Sequence, residues 1–139
     1  LKNGDIMKNT LLILATLLFG FVAHASDITP QTLIGNYGIQ VKYLTKKADF
    51  NLFVISTQNF QIQRIYPDHD GKICAGTYSL TADKVFMGNF VCPDDQNTAA
   101  DFNIELGSNS TDDLSKGAKV RVRSSVAPGK NLSGKMQRK

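Results

Sequence analysis

Residues 74–92 read CAGTYSLTADKVFMGNFVC, and this stretch decides the fold. Two cysteines bracket two short runs in which apolar and polar residues alternate, the pattern of half-buried strands. Pairing Cys74 with Cys92 across an antiparallel ribbon sets the register. Gly76 then faces Phe90, Tyr78 faces Gly88, and Leu80 faces Phe86. The connection shrinks to Ala82, Asp83 and Lys84, a length typical of hairpins. All eight paired residues fall on one apolar face, and each glycine meets an aromatic ring that covers its bare backbone. The opposite face, from Ala75 to Val91, is mixed. The cysteine pairing alone sets every other pair, so this agreement argues for a structural disulfide. Closing such a loop contributes about 3 kcal/mol in the chain-entropy model. A redox or metal pair is disfavoured, because Cys-x-x-Cys spacing and further ligands are lacking.

Outward from this hairpin the same period of two recurs, with turn residues between the runs. Leu33–Leu44, Phe50–Ser56 and Phe60–Tyr66 read as strands before it. Asp101–Leu106 and Ala118–Ser125 read as strands after it. Lys46–Asp49 reads as a turn, and Gly107–Ser115 as a polar loop. Leu132–Met136 is either an eighth strand or a frayed end. Thr29–Thr32 fits a single helical turn. The expected fold is all-β, with seven or eight antiparallel strands in a meander, closed as a small barrel or flattened as a sandwich.

Ahead of this domain lies a cleavable N-terminal signal helix. Met7 and Lys8 give a short charged start, Leu11–Val22 is an uncharged apolar run, and Ala23-His24-Ala25 is a small-x-small cleavage pattern. Cleavage is expected between Ala25 and Ser26. The apolar run is too short for a permanent span, which needs about 20 residues. Residues 1–6 read as a mis-called start, with Leu1 fitting a non-Met start codon of the bacterial kind. The organisation expected is therefore 1–6, signal peptide 7–25, and one β domain over 26–139 with a basic final strand and tail. The address is a periplasm or the extracellular space, and the oxidised cysteines fit it.

Without Lys2, Lys8 and Asp5, the remaining chain has 14 basic and 11 acidic residues. That balance does not by itself imply nucleic acid, and no nucleic-acid-reading motif accompanies it. The distribution is uneven: residues 116–139 hold eight basic residues and no acid. Lys119, Arg121 and Arg123 alternate with Val120 and Val122, so they project outward. With Lys130 they form a candidate patch for an anionic partner, such as an envelope component.

Chemistry-bearing residues are few. His69 lies in Pro67-Asp68-His69-Asp70-Gly71, which reads as a turn. A calcium loop would need more oxygens at alternating positions. Asp94, Asp95 and Asp101 read as a solvated loop cluster. No nucleophile motif and no paired carboxylates stand out. No catalytic residue, metal or cofactor is expected.

Leu33-Ile34-Gly35-Asn36-Tyr37 carries a Gly-x-aromatic step at the start of the first strand. It resembles the Gly-x-Trp feature of lipocalin-like small β-barrels, with Tyr in place of Trp. In that family an arginine on the last barrel strand packs across the ring, a part the resemblance gives here to Arg121 or Arg123 beside Tyr37. It also implies an interior that takes a small apolar ligand, unless short strands leave it filled. The function expected is an exported, non-enzymatic binding protein for a small apolar ligand or an envelope component. The alternatives are an inhibitor-like module docking another protein through Pro67–Gly71 or Pro93–Thr98, and a small hydrolase with an unrecognised site.

Overall fold

A computed structural model of the chain describes residues 27–66, 71–93, 99–125 and 127–139. The signal segment, its cleavage point at Ala25 and Ser26, and the stretches 67–70 and 94–98 lie outside the described residues.

Eight strands form one closed antiparallel barrel. They are β1 (Gly35–Tyr43), β2 (Lys46–Val54), β3 (Asn59–Tyr66), β4 (Ile73–Leu80), β5 (Val85–Val91), β6 (Ala99–Glu105), β7 (Ala118–Ser124) and β8 (Leu132–Arg138). Each strand pairs with the next, and β8 returns to β1. Closure leaves no free sheet edge, which is how an all-β chain avoids edge-to-edge pairing. It decides between barrel and sandwich, and it makes residues 132–138 a full strand.

The hairpin register is the one required by the cysteines: Gly76 opposite Phe90, Tyr78 opposite Gly88, Leu80 opposite Phe86. The disulfide Cys74–Cys92 is formed. In the connection, Lys84 takes φ 62° and its N–H donates to Thr81 O at 3.0 Å. A tight turn followed by one left-handed residue is a usual three-residue hairpin connection. The two glycines are there for space. A Cβ on Gly76 would stand 1.8 Å from the Asn89 carbonyl oxygen, and one on Gly88 would stand 2.8 Å from the Phe60 ring. The ring that covers Gly88 thus comes from β3 rather than from Tyr78 opposite it.

Inward positions alternate along most of the barrel, as closure demands. On β7, Ala118, Val120 and Val122 are buried while Lys119, Arg121 and Arg123 are exposed. Two segments depart from the sequence reading. Lys46–Asp49 is the start of β2, and the turn is Leu44–Thr45. Lys46 and Lys47 are solvated on both faces of the ribbon, so its tip shows no alternation. Within 107–115 a short helix begins, α2 (Thr111–Lys116), after the earlier turn α1 (Pro30–Leu33). Ser110 and Asp113 form a reciprocal capping box at its start. Leu114 is fully buried and seats the helix on the barrel.

A bulge breaks the β2–β3 ladder. Asp49 pairs with Tyr66 but Phe50 pairs with Arg64, leaving Ile65 as the extra residue. Bulges at a barrel rim re-aim side chains. Here Arg64 follows Phe60 and Ile62 on the inward row in unbroken register, and the shift sets Tyr66 opposite Asp49 of the outward row.

Candidate functional site: an open end and a closed end

The barrel is filled at one end and hollow at the other. At the end where β1 begins, large rings interlock. Tyr78 stacks on Phe86 with centroids 4.5 Å apart, and Phe60 meets Phe86 edge-on at 5.3 Å. Tyr37 is fully buried beside Leu33 and Met136. Its hydroxyl donates to Leu33 O at 2.8 Å and accepts from Arg138 Nη2 at 2.7 Å. The Arg138 guanidinium lies 5.3 Å from the Tyr37 ring centre and also donates to Thr32 O at 2.5 Å. The arginine on Tyr37 is therefore Arg138, not Arg121 or Arg123. The last barrel strand is β8, and Arg138 shares its inward row with Gly134 and Met136, whereas Arg121 and Arg123 point outward from β7.

This plug is anchored to the N-terminal segment. Lys84 Nζ donates to Ile28 O at 2.8 Å, while the Tyr78 hydroxyl ties the plug to the β2–β3 connection, donating to Ser56 O at 3.0 Å. Burial raises the pKa of Tyr37, against the opposing pull of the Arg138 hydrogen bond. Burial also raises that of Tyr78, with a smaller push from Tyr37. Both phenols are neutral structural groups at ordinary pH.

At the other end Val41, Ala48, Val122 and Ser124 are small, and a cavity of about 410 Å³ remains between them and the phenylalanine rings. Val41, Phe50, Ile62, Phe90, Phe102 and Val122 form its walls, with the Cys74–Cys92 pair on one side. Its polar lining comes from Arg64, Lys72 and Ser124. The Arg64 guanidinium sits 6.0 Å from the Phe50 ring centre. The volume falls within the range of roughly 300–1,000 Å³ found for small-ligand sites. Mostly apolar walls with a few polar groups suit a ligand with an apolar body.

The candidate basic patch is partly assembled. Lys119 and Arg121 lie on the outer wall, where Lys119 is directly opposite Lys135 of β8. Lys42, Gln40 and Ser133 line the same shallow groove. Lys42 and Lys135 were not singled out from the sequence. Their signal was the outward parity of β1 and β8, which needs the register. Arg123 is engaged elsewhere, its Nη2 3.0 Å from Glu105 Oε1. Lys130 stands apart, its ammonium 4.6 Å from the Tyr43 ring centre at the open end.

Among the described residues, no group of three or more His, Cys, Asp or Glu is placed to hold a metal ion. No described helix is long and apolar enough to cross a membrane. Comparison of the chain with family models, with characterised proteins and with solved structures finds no match.

Proposed function

We propose that this chain is an exported, non-enzymatic binding protein that takes a small apolar molecule into the open end of its barrel. The observation that carries the reading is the cavity between Val41, Phe50, Ile62, Phe102 and Val122. Apolar surface left facing a cavity of this size is stabilised when a ligand removes it from water, at about 25 cal/mol per Å². The barrel closed by a buried tyrosine and an inward arginine supports the lipocalin-like resemblance. A disulfide of the kind seen in exported chains supports the address.

The test uses the oxidised protein and the neutral apolar dye N-phenyl-1-naphthylamine. Its fluorescence should rise on binding and fall when decanol or laurate competes. Ala48→Trp, which places a ring in the cavity mouth, should abolish the signal while the protein stays folded. No fluorescence change and an unmoved melting temperature with any of these ligands would defeat the reading.

A second reading has its own observation. Lys119 and Lys135 face each other across β7–β8, a like-charge pairing that weakens a sheet unless an anion sits between. This favours an anionic envelope component on the outer wall. Dextran sulfate should bind the wild type and not Lys119→Glu with Arg121→Glu; equal binding by both would remove the wall from consideration.

A further inference from the structure

The rim of the open end is chemically lopsided. One half is built by the β1–β2 hairpin and by the β7–β8 connection beside it, since β1 pairs with both β2 and β8. Residues 35–48 carry three lysines, Lys42, Lys46 and Lys47, and no acid. Residues 125–131 add Lys130 and again no acid. Two described acids adjoin this half: Asp49 of β2, opposite Tyr66, and Asp101, whose carboxylate accepts from Ser125 N–H at 2.7 Å, so four lysines stand against two acids. The basic half also displays apolar groups. Leu44 at the hairpin tip is 87% exposed, and Tyr43 and Tyr66 stand exposed beside it.

Leu44 is a poor choice for a stable turn. Its φ is 56°, a left-handed conformation in which a leucine Cβ crowds the following carbonyl oxygen. Two-residue hairpin connections favour Gly, Asn or Asp at such positions. The residue here is worse than those for the backbone and worse for solubility, so stability does not account for it. Exposed leucine and tyrosine ringed by lysines match the layered chemistry of a lipid interface. There tyrosine sits at headgroup depth, leucine reaches the acyl boundary, and lysine meets anionic headgroups.

We propose that this half of the rim docks the barrel on an anionic lipid surface, with Leu44 inserted and Lys42, Lys46, Lys47 and Lys130 over the headgroups. The docked pose turns the mouth of the cavity towards the lipid layer. The docking surface does not depend on the cavity being occupied.

The experiment is co-sedimentation of the oxidised protein with vesicles of phosphatidylglycerol and phosphatidylcholine, against vesicles of phosphatidylcholine alone. The mixed vesicles should bind the protein, and added salt should release it. Each lysine reversed to glutamate should weaken binding at least about fivefold, the effect of one charge near such a surface. Lys46→Glu with Lys47→Glu should therefore bind at least about 25-fold more weakly. Leu44→Asn suits the left-handed turn, so it should keep or raise the melting temperature while weakening vesicle binding about tenfold. Equal binding to both vesicle types, or none to either, overturns the proposal. So does loss of binding in Lys119→Glu with Arg121→Glu but not in the hairpin variants, which would move the contact to the wall. A concentration-dependent mass in solution that Leu44→Asn abolishes also overturns it, because a second copy would then cover the tip.

Discussion

Tyr37→Phe isolates the polar half of the closed end, because the ring stays and only the hydroxyl goes. The hydroxyl makes two bonds, to Leu33 O at 2.8 Å and from Arg138 Nη2 at 2.7 Å. The neutral one is worth about 1 kcal/mol and the charge-assisted one roughly 1.5–3 kcal/mol. Arg138 keeps Thr32 O, so part of the second loss is recovered. The expected destabilisation is about 2–3 kcal/mol, or about 8–12 °C in melting temperature for a domain of this size. Alkaline pH supplies an independent readout. Burial raises the pKa of Tyr37, so the unfolded chain releases its phenol proton first, near the ordinary value of about 10. Above that pH the unfolded state binds fewer protons than the folded one, and stability falls. The variant lacks this loss at position 37, while Tyr78 titrates in both proteins. Thermal melts followed by circular dichroism between about pH 8 and 11 should show the gap between the two proteins narrowing above about pH 10. A shift below about 2 °C at neutral pH, or a gap that ignores pH, would refute this account of the plug.

Other perturbations probe separate parts of the barrel. Cys74→Ser with Cys92→Ser should cost about 3 kcal/mol in urea unfolding, with most of the difference gone when both proteins are unfolded in excess reductant. Leu114→Ala should lower stability by about 2–5 kcal/mol, since this fully buried side chain seats α2 on the barrel. Ser110→Ala, which removes one arm of the capping box, should cost about 0.5–2 kcal/mol in the same assay. Arg123→Ala should change stability by less than about 1 kcal/mol, because its ion pair with Glu105 is solvent-exposed.

How much could be read from sequence followed from how strongly each segment was constrained. The 74–92 hairpin was legible because two cysteines fixed a register and every paired residue then agreed with it. The outward face of β7 was legible because Lys119, Arg121 and Arg123 alternate with small apolar residues. β8 was harder: its inward row is Leu132, Gly134, Met136 and Arg138, and half of that row does not look like core. The arginine on Tyr37 therefore lies one strand beyond the β7 positions to which the resemblance points. The helix α2 did carry a readable start in Ser110-Thr111-Asp112-Asp113, but its one turn and a half gives almost no period to see. The cavity was least legible of all. It depends on which residues share a level inside the barrel, and Ala48, Phe50 and Val122 become neighbours only once the register is known.

The pairing of β1 with β8 has a consequence for how the barrel comes into being. Seven of the eight contacts join strands next to each other in sequence, and each can form as soon as its second strand exists. The eighth joins Tyr37 to Arg138, about a hundred residues apart, and carries a larger loop-closure cost. A chain made or threaded from its N-terminal end therefore passes through a stage as an open seven-stranded sheet with two bare edges. Its plug also lacks the Arg138 that ties Tyr37 to the α1 carbonyls. Such a sheet is prone to pair with other chains. The moment of greatest aggregation risk thus falls just before residues 132–138 arrive, and the last strand acts as the latch that ends it.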